Sequence, residues 1–126
     1  MYQTAPVEKI ADFTDLKAWQ KAHELVLGVY QVTKSFPVQE QFGLTSQIRR
    51  SVISITSNIA EGFSRQTKAD KIHFYHIALG SCSETQNQLI ATRDLGFLPD
   101  KDFYRLFSLS VEVHKIINGL VKALRR

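Results

Sequence analysis

Residues 44–65, LTSQIRRSVISITSNIAEGFSR, constrain the fold more than any other stretch of this chain. Wound at about 100° per residue, Leu44, Ile48, Val52, Ile55 and Ile59 fall on one narrow apolar stripe. Gln47, Arg50, Ser54, Asn58 and Glu61 form a second stripe on another side, with Ile53, Thr56 and Ala60 in between. So little of the circumference is charged that such a helix needs several neighbours. The row of small polar residues between Arg50 and Glu61 then needs partners, because a polar group taken out of water must be hydrogen-bonded.

The flanking segments supply those neighbours. Residues 1–12 hold Pro6 and show no periodicity, so they read as a flexible tail ahead of one helical domain over residues 13–126. Thr14 or Asp15 offers an N-cap for a first helix that Pro37 ends. On it, Leu16, Trp19, His23, Val26, Tyr30 and Thr33 follow a heptad spacing, and Ala18, Ala22, Leu25, Val29, Val32 and Phe36 repeat it one strip over. Gly62 is expected as a left-handed cap ending the second helix, and Thr67 with Asp70 reads as a capping-box variant opening the third.

The third helix, about residues 68 to 95, carries Phe74, Ile77, Ala78, Ser81, Thr85, Leu89, Thr92 and Leu95 on one face. Glu84 and Gln88 lie along the edge of that face, and Ile72, Leu79 and Ile90 form a strip roughly opposite. Gly80 in mid-helix costs helix propensity, which close approach of a neighbouring surface would offset. Gly96 and Pro99 break the chain before a fourth helix with Phe103, Leu106, Ser110, Val113, Ile117, Leu120 and Leu124 spaced three and four apart. Four helices with short connections imply an all-α, up-down-up-down antiparallel four-helix bundle.

Composition narrows the function. At 126 residues the chain is one domain with room for a core. Cys82 is the only cysteine, so no intrachain disulfide forms and a reducing, cytoplasmic setting is expected. No apolar run approaches the ~20 residues of a membrane span, and the first residues hold no signal-peptide core. The net charge of +4 and pI near 9.3 make the chain mildly basic, which favours loose polyanion affinity.

Enzymatic readings find little to stand on. A bundle di-iron site needs two Glu-x-x-His motifs, and the chain has none; Asp70-x-x-His73 and Glu112-x-His114 are the nearest strings. His73 and His76 flank two aromatics as ordinary helix surface does, and His23 sits on a heptad face. Cys82 lies beside the apolar face as a small core residue. No serine stands in a glycine-flanked nucleophile elbow, and no glycine-rich phosphate loop is present. The expectation is a non-enzyme without metal or cofactor.

The strings GLTSQIRRS, SNIAEG and IALGS followed by Glu84 resemble the bacterial four-helix bundle family known as 23S rRNA intervening-sequence proteins. The resemblance runs from about Phe13 to Leu98 and more loosely to the C-terminus. That family's name records where some of its genes sit, not a chemistry. The resemblance implies a cyclic homopentamer, and the family is similar to the RNA-contacting pentameric accessory proteins of diversity-generating retroelements. Two functions follow as expectations: a scaffold binding RNA or DNA through a basic end, or a protein-interaction scaffold for a neighbouring-gene product such as a reverse transcriptase.

Three sets of residues carry these expectations. Arg65, Lys68 and Lys71 at the helix two–three turn and Lys122, Arg125 and Arg126 at the C-terminus would share one basic end. Arg50, Asn58, Glu61 and Glu84 would form a buried polar network, built on an Arg50–Glu84 pair, the alternative being that the polar stripe of the second helix is a recognition surface. Ala22, Leu25, Val29, Ile72, Leu79 and Ile90, on the second apolar strips, would meet other copies of the chain.

Overall fold

The computed structural model describes residues 9–126, so most of the tail expected over residues 1–12 lies outside the described residues. Four helices follow in order: α1 (Lys17–Thr33), α2 (Leu44–Ser64), α3 (Lys68–Asp94) and α4 (Asp100–Leu124). One-turn 3-10 helices at Phe13–Asp15 and Val38–Glu40 complete the chain, and there is no strand among the described residues. α1 packs on α2 and α4, and α3 packs on the same two, while diagonal pairs make no close backbone contact. Across α2 and α3, Ser51 meets Gln88, Ser54 meets Ser81, and Gly62 lies against Tyr75. Rising numbers on one helix meet falling numbers on the other, so neighbours are antiparallel, as the short connections require.

The ends of the helices follow local chemistry. The first cap comes earlier than Thr14 or Asp15: Asp12 accepts from the Thr14 amide, and Asp15 accepts in return from the Asp12 amide. α1 itself begins at Lys17, after an extended Leu16 that makes no side-chain cap. Thr67 caps α3 as expected, accepting from the Asp70 amide at 3.1 Å. At the far end of α3, Gly96 takes φ +84°, and the Phe97 amide reaches back to the Thr92 carbonyl at 2.9 Å. That pattern closes the last turn and needs a residue tolerant of positive φ.

Gly62 departs from expectation. It is a buried residue inside α2 rather than a left-handed cap, and a Cβ there would stand 2.7 Å from Tyr75 Cε1. Its smallness lets the ring of Tyr75 press against α2.

The core lies along the bundle axis. Ile48, Val52, Ile55 and Ile59 of α2 are fully buried, as are Leu106, Val113 and Ile117 of α4. On α1 the two strips take roles of their own. Ala18, Ala22, Leu25 and Val29 of one strip are buried, as is Phe36 just past the helix; on the other, Val26 and Thr33 are buried, whereas Trp19 and His23 are half-buried and stack on each other at 4.7 Å between ring centroids. No helix among the described residues is long and apolar enough to cross a membrane.

Candidate nucleic-acid interface

The seam between α2 and α3 is zipped by small hydroxyls. Ser51 Oγ donates to Gln88 Oε1 at 2.7 Å and lies 2.8 Å from Thr85 Oγ1, all three side chains buried. One turn on, Ser54 Oγ and Ser81 Oγ are 2.7 Å apart, and Asn58 Nδ2 donates to Ser54 Oγ at 3.0 Å. Short side chains let the two backbones approach, and each buried hydroxyl finds a partner in the opposite helix or its own preceding turn.

The expected Arg50–Glu84 pair is not formed in the subunit. Both residues are exposed, and Glu84 accepts only a 3.3 Å hydrogen bond from Gln88 Nε2. Glu61 is also exposed and pairs with Arg65 at 3.0 Å; Asn58 alone of the four joins the seam, half-buried. The reason is energetic: a charge that can reach water avoids a desolvation cost that a buried pair repays only with ideal geometry. Ser51, Thr85 and Gln88 hold the network instead. Their signal was the placement of Thr85 on the apolar face of α3 and of Gln88 at its edge.

The second expected set, for contacts between copies, also shifts. Ala22, Leu25 and Val29 are fully buried within the subunit, filling the space against its other helices, so they cannot meet another copy. Ile72 and Leu79 are partly buried against the same core. Ile90, 38% exposed, remains on the outside together with Ile77. Between them on α3, Gly80 faces open space: a Cβ there would meet no atom within 4 Å.

The basic residues gather at the end of the bundle where α2 turns into α3 and α4 finishes. Arg125 Nη2 lies 3.5 Å from His76 Nε2, tying the C-terminus of α4 to the first half of α3. Besides Arg125, two of the six expected cations are committed within the subunit. Lys71 Nζ donates to the Phe63 carbonyl at 2.6 Å, and Arg65 pairs with Glu61 while its guanidinium covers the ring of Phe74 at 4.6 Å. A lysine on the last carbonyls of α2 satisfies groups the helix leaves open. Lys68, Lys122, Arg125 and Arg126 are exposed, and none takes part in an ion pair among the described residues.

Burial pushes the Cys82 thiol up to about 11 and raises Tyr75 as well, which keeps both protonated at neutral pH. Cys82 Sγ instead donates to the Ser110 carbonyl at 3.3 Å, joining α3 to α4. Among the described residues no three His, Cys, Asp or Glu side chains come together as a metal site.

The model of the 23S rRNA-intervening sequence protein family matches residues 14–119, the whole bundle from the first turn to late α4. The chain belongs to that family. A structural relative of these intervening-sequence proteins agrees: a protein of unknown function from the S23 ribosomal protein family of Bacteroides thetaiotaomicron VPI-5482, solved as a crystal structure at 1.70 Å. It is 25% identical, superposes with a TM-score of 0.77, and the match covers 83% of this chain and 95% of that one. No curated protein matches the chain. Family membership fixes the bundle.

Proposed function

We propose that this member of the family is a non-enzymatic, homo-oligomeric scaffold that binds nucleic acid, RNA above all, through the basic end of its bundle. The reading is supported by Lys68 at the start of α3 and Lys122, Arg125 and Arg126 at the end of α4, all exposed toward the same end of the bundle. Arg125 Nη2, 3.5 Å from His76 Nε2, sets the end of α4 beside α3 about two turns along from Lys68. Four exposed cations with no carboxylate partner are what a polyanion backbone requires, and they read phosphate charge rather than base identity.

Assembly multiplies the effect. A subunit charge of +4 repeated five times, the stoichiometry implied by the family resemblance, gives 5 × 4 = +20 on the particle. A ring would repeat the basic end around one rim. Support for self-association comes from the outer face of α3, where exposed Ile77 and Ile90 flank Gly80. A mid-helix glycine costs about 1 kcal/mol against alanine. Nothing within the subunit explains it, whereas a second copy packed closely on that face would. The test is RNA titration at two salt concentrations: phosphate-driven binding weakens steeply as salt rises.

A further inference from the structure

The end of the bundle opposite the basic cluster has a surface that neither the core nor the proposed RNA contacts use. Where α1 finishes and α2 begins, a groove of about 440 Å³ opens beside Tyr30, Phe42, Arg49, Arg50 and Ile53. A smaller hollow of about 220 Å³ continues it toward Val38, with Thr45 and Arg49 lining both. Phe42 is 90% exposed and Val38 81%, a large cost for apolar side chains left in water. Thr45 Oγ1, in contrast, is the one buried side-chain oxygen or nitrogen without a hydrogen-bond partner among the described residues.

The charged members are set in different ways. Arg49 is fixed: its Nε donates to Thr33 Oγ1 at 2.8 Å, and its guanidinium covers the Tyr30 ring at 4.6 Å. Arg50 is exposed and makes no ion pair among the described residues. No carboxylate lines either hollow. Aromatic and arginine side chains around a pocket, with acidic residues absent, are the composition of a protein-binding hot spot. An arginine already held in place loses little freedom on binding. For a nucleic acid the site is poorly suited, because Arg50 in the groove and Lys34 in the smaller hollow, set amid Phe42, Val38 and Ile53, offer few phosphate contacts.

We propose that this groove docks an acidic segment of another protein, with a bulky apolar side chain seated against Phe42 and Ile53 and a carboxylate accepting from Arg50. The inference is independent of the RNA-binding reading, since it uses the other end of the bundle and different residues.

The test pans short random peptides displayed on phage against the whole protein. The selected sequences are then synthesised and titrated by fluorescence polarisation. Selected peptides should pair Asp or Glu with Phe, Trp or Leu. Phe42→Ala and Arg50→Gln should each weaken their binding roughly tenfold or more, while Lys122→Gln leaves it unchanged. Both groove residues are exposed, so the variants should keep the wild-type circular dichroism, which is measured alongside. Three results would each overturn the proposal. One is a selection that yields no peptide dependent on both residues. Another is loss of oligouridine binding in the same two variants, which would make the groove a nucleic-acid site. The last is a fall in particle mass for Phe42→Ala, which would show a second copy covering the groove.

Discussion

Ser51 Oγ donates to Gln88 Oε1 at 2.7 Å across the α2–α3 seam, with both side chains shut away from water. Removing the hydroxyl orphans a buried amide oxygen, which costs about 1–3 kcal/mol. Ser51→Ala should lower the urea midpoint accordingly. Changing both residues to apolar ones, Ser51→Ala with Gln88→Leu, should recover part of that loss, because no polar group is then stranded. Arg50→Ala, at an exposed position one residue away, should shift stability by no more than about 0.5 kcal/mol. A loss of roughly 3–5 kcal/mol at Arg50 would instead indicate a buried ion pair.

These contrasts show what the chain discloses and what it withholds. The bundle was legible because Ile48, Val52, Ile55 and Ile59, and the three-four spacing of α4, leave no other way to bury their faces. The breaks at Thr67 and Gly96 were legible because each has a local backbone cause, whereas α1 stops at Thr33, four residues ahead of the Pro37 expected to end it. Periodicity could not tell which positions of the two strips on α1 face inward, since both alternate spacings of three and four, and Val26 and Thr33 of the first strip are buried alongside Ala22 and Leu25 of the second. It misassigned Arg50 and Glu84 because a helical wheel gives angle but not the width of the seam. Short Ser51, Ser54 and Ser81 leave no room there for two long side chains, which reach water at its flank. Of the candidate site, the shared basic end followed from topology. That Lys71 and Arg65 are spent on Phe63, Glu61 and Phe74 did not, because those contacts depend on how the turn is folded.

Alkaline pH should destabilise this protein in part through Cys82. Burial disfavours the thiolate and pushes the thiol up to about 11, above the 9.0 of an unburied cysteine. A folded pKa above the unfolded one means stability is fully present below pH 9 and is lost as pH rises from there toward 11. The slope is up to about 1.4 kcal/mol per pH unit. Tyr75, raised in the same direction, adds to the loss above its ordinary value of 10.0. Urea unfolding at pH 8 and pH 10.5 should show the decline, and Cys82→Ala should reduce it. Equal declines in the two proteins would contradict the burial argument.

Two glycines separate packing inside the subunit from packing between subunits. Gly62→Ala should destabilise the bundle by about 1–3 kcal/mol, because the new methyl collides with the Tyr75 ring. Gly80→Ala meets nothing within 4 Å, so the isolated bundle should tolerate it or gain up to about 1 kcal/mol. Light scattering should give wild type a mass several times 14.4 kDa, five-fold if the pentamer holds. Gly80→Arg should shrink that particle while keeping helicity. A monomeric wild type, or a Gly80→Arg particle of unchanged mass, would rule out α3's outer face as the contact.

The most direct test of the central claim is the salt dependence of RNA binding. Wild type and a variant with Lys68, Lys122, Arg125 and Arg126 changed to Gln are titrated with single-stranded RNA at low and at near-physiological salt. Each phosphate contact contributes about 0.7 to the slope of log affinity against log salt for a single strand. The wild type should bind at low salt with a steep slope, and the variant should bind more weakly with a flatter one. A wild type that shows no salt-dependent binding at low ionic strength, or a variant that binds as tightly and as steeply, would contradict it.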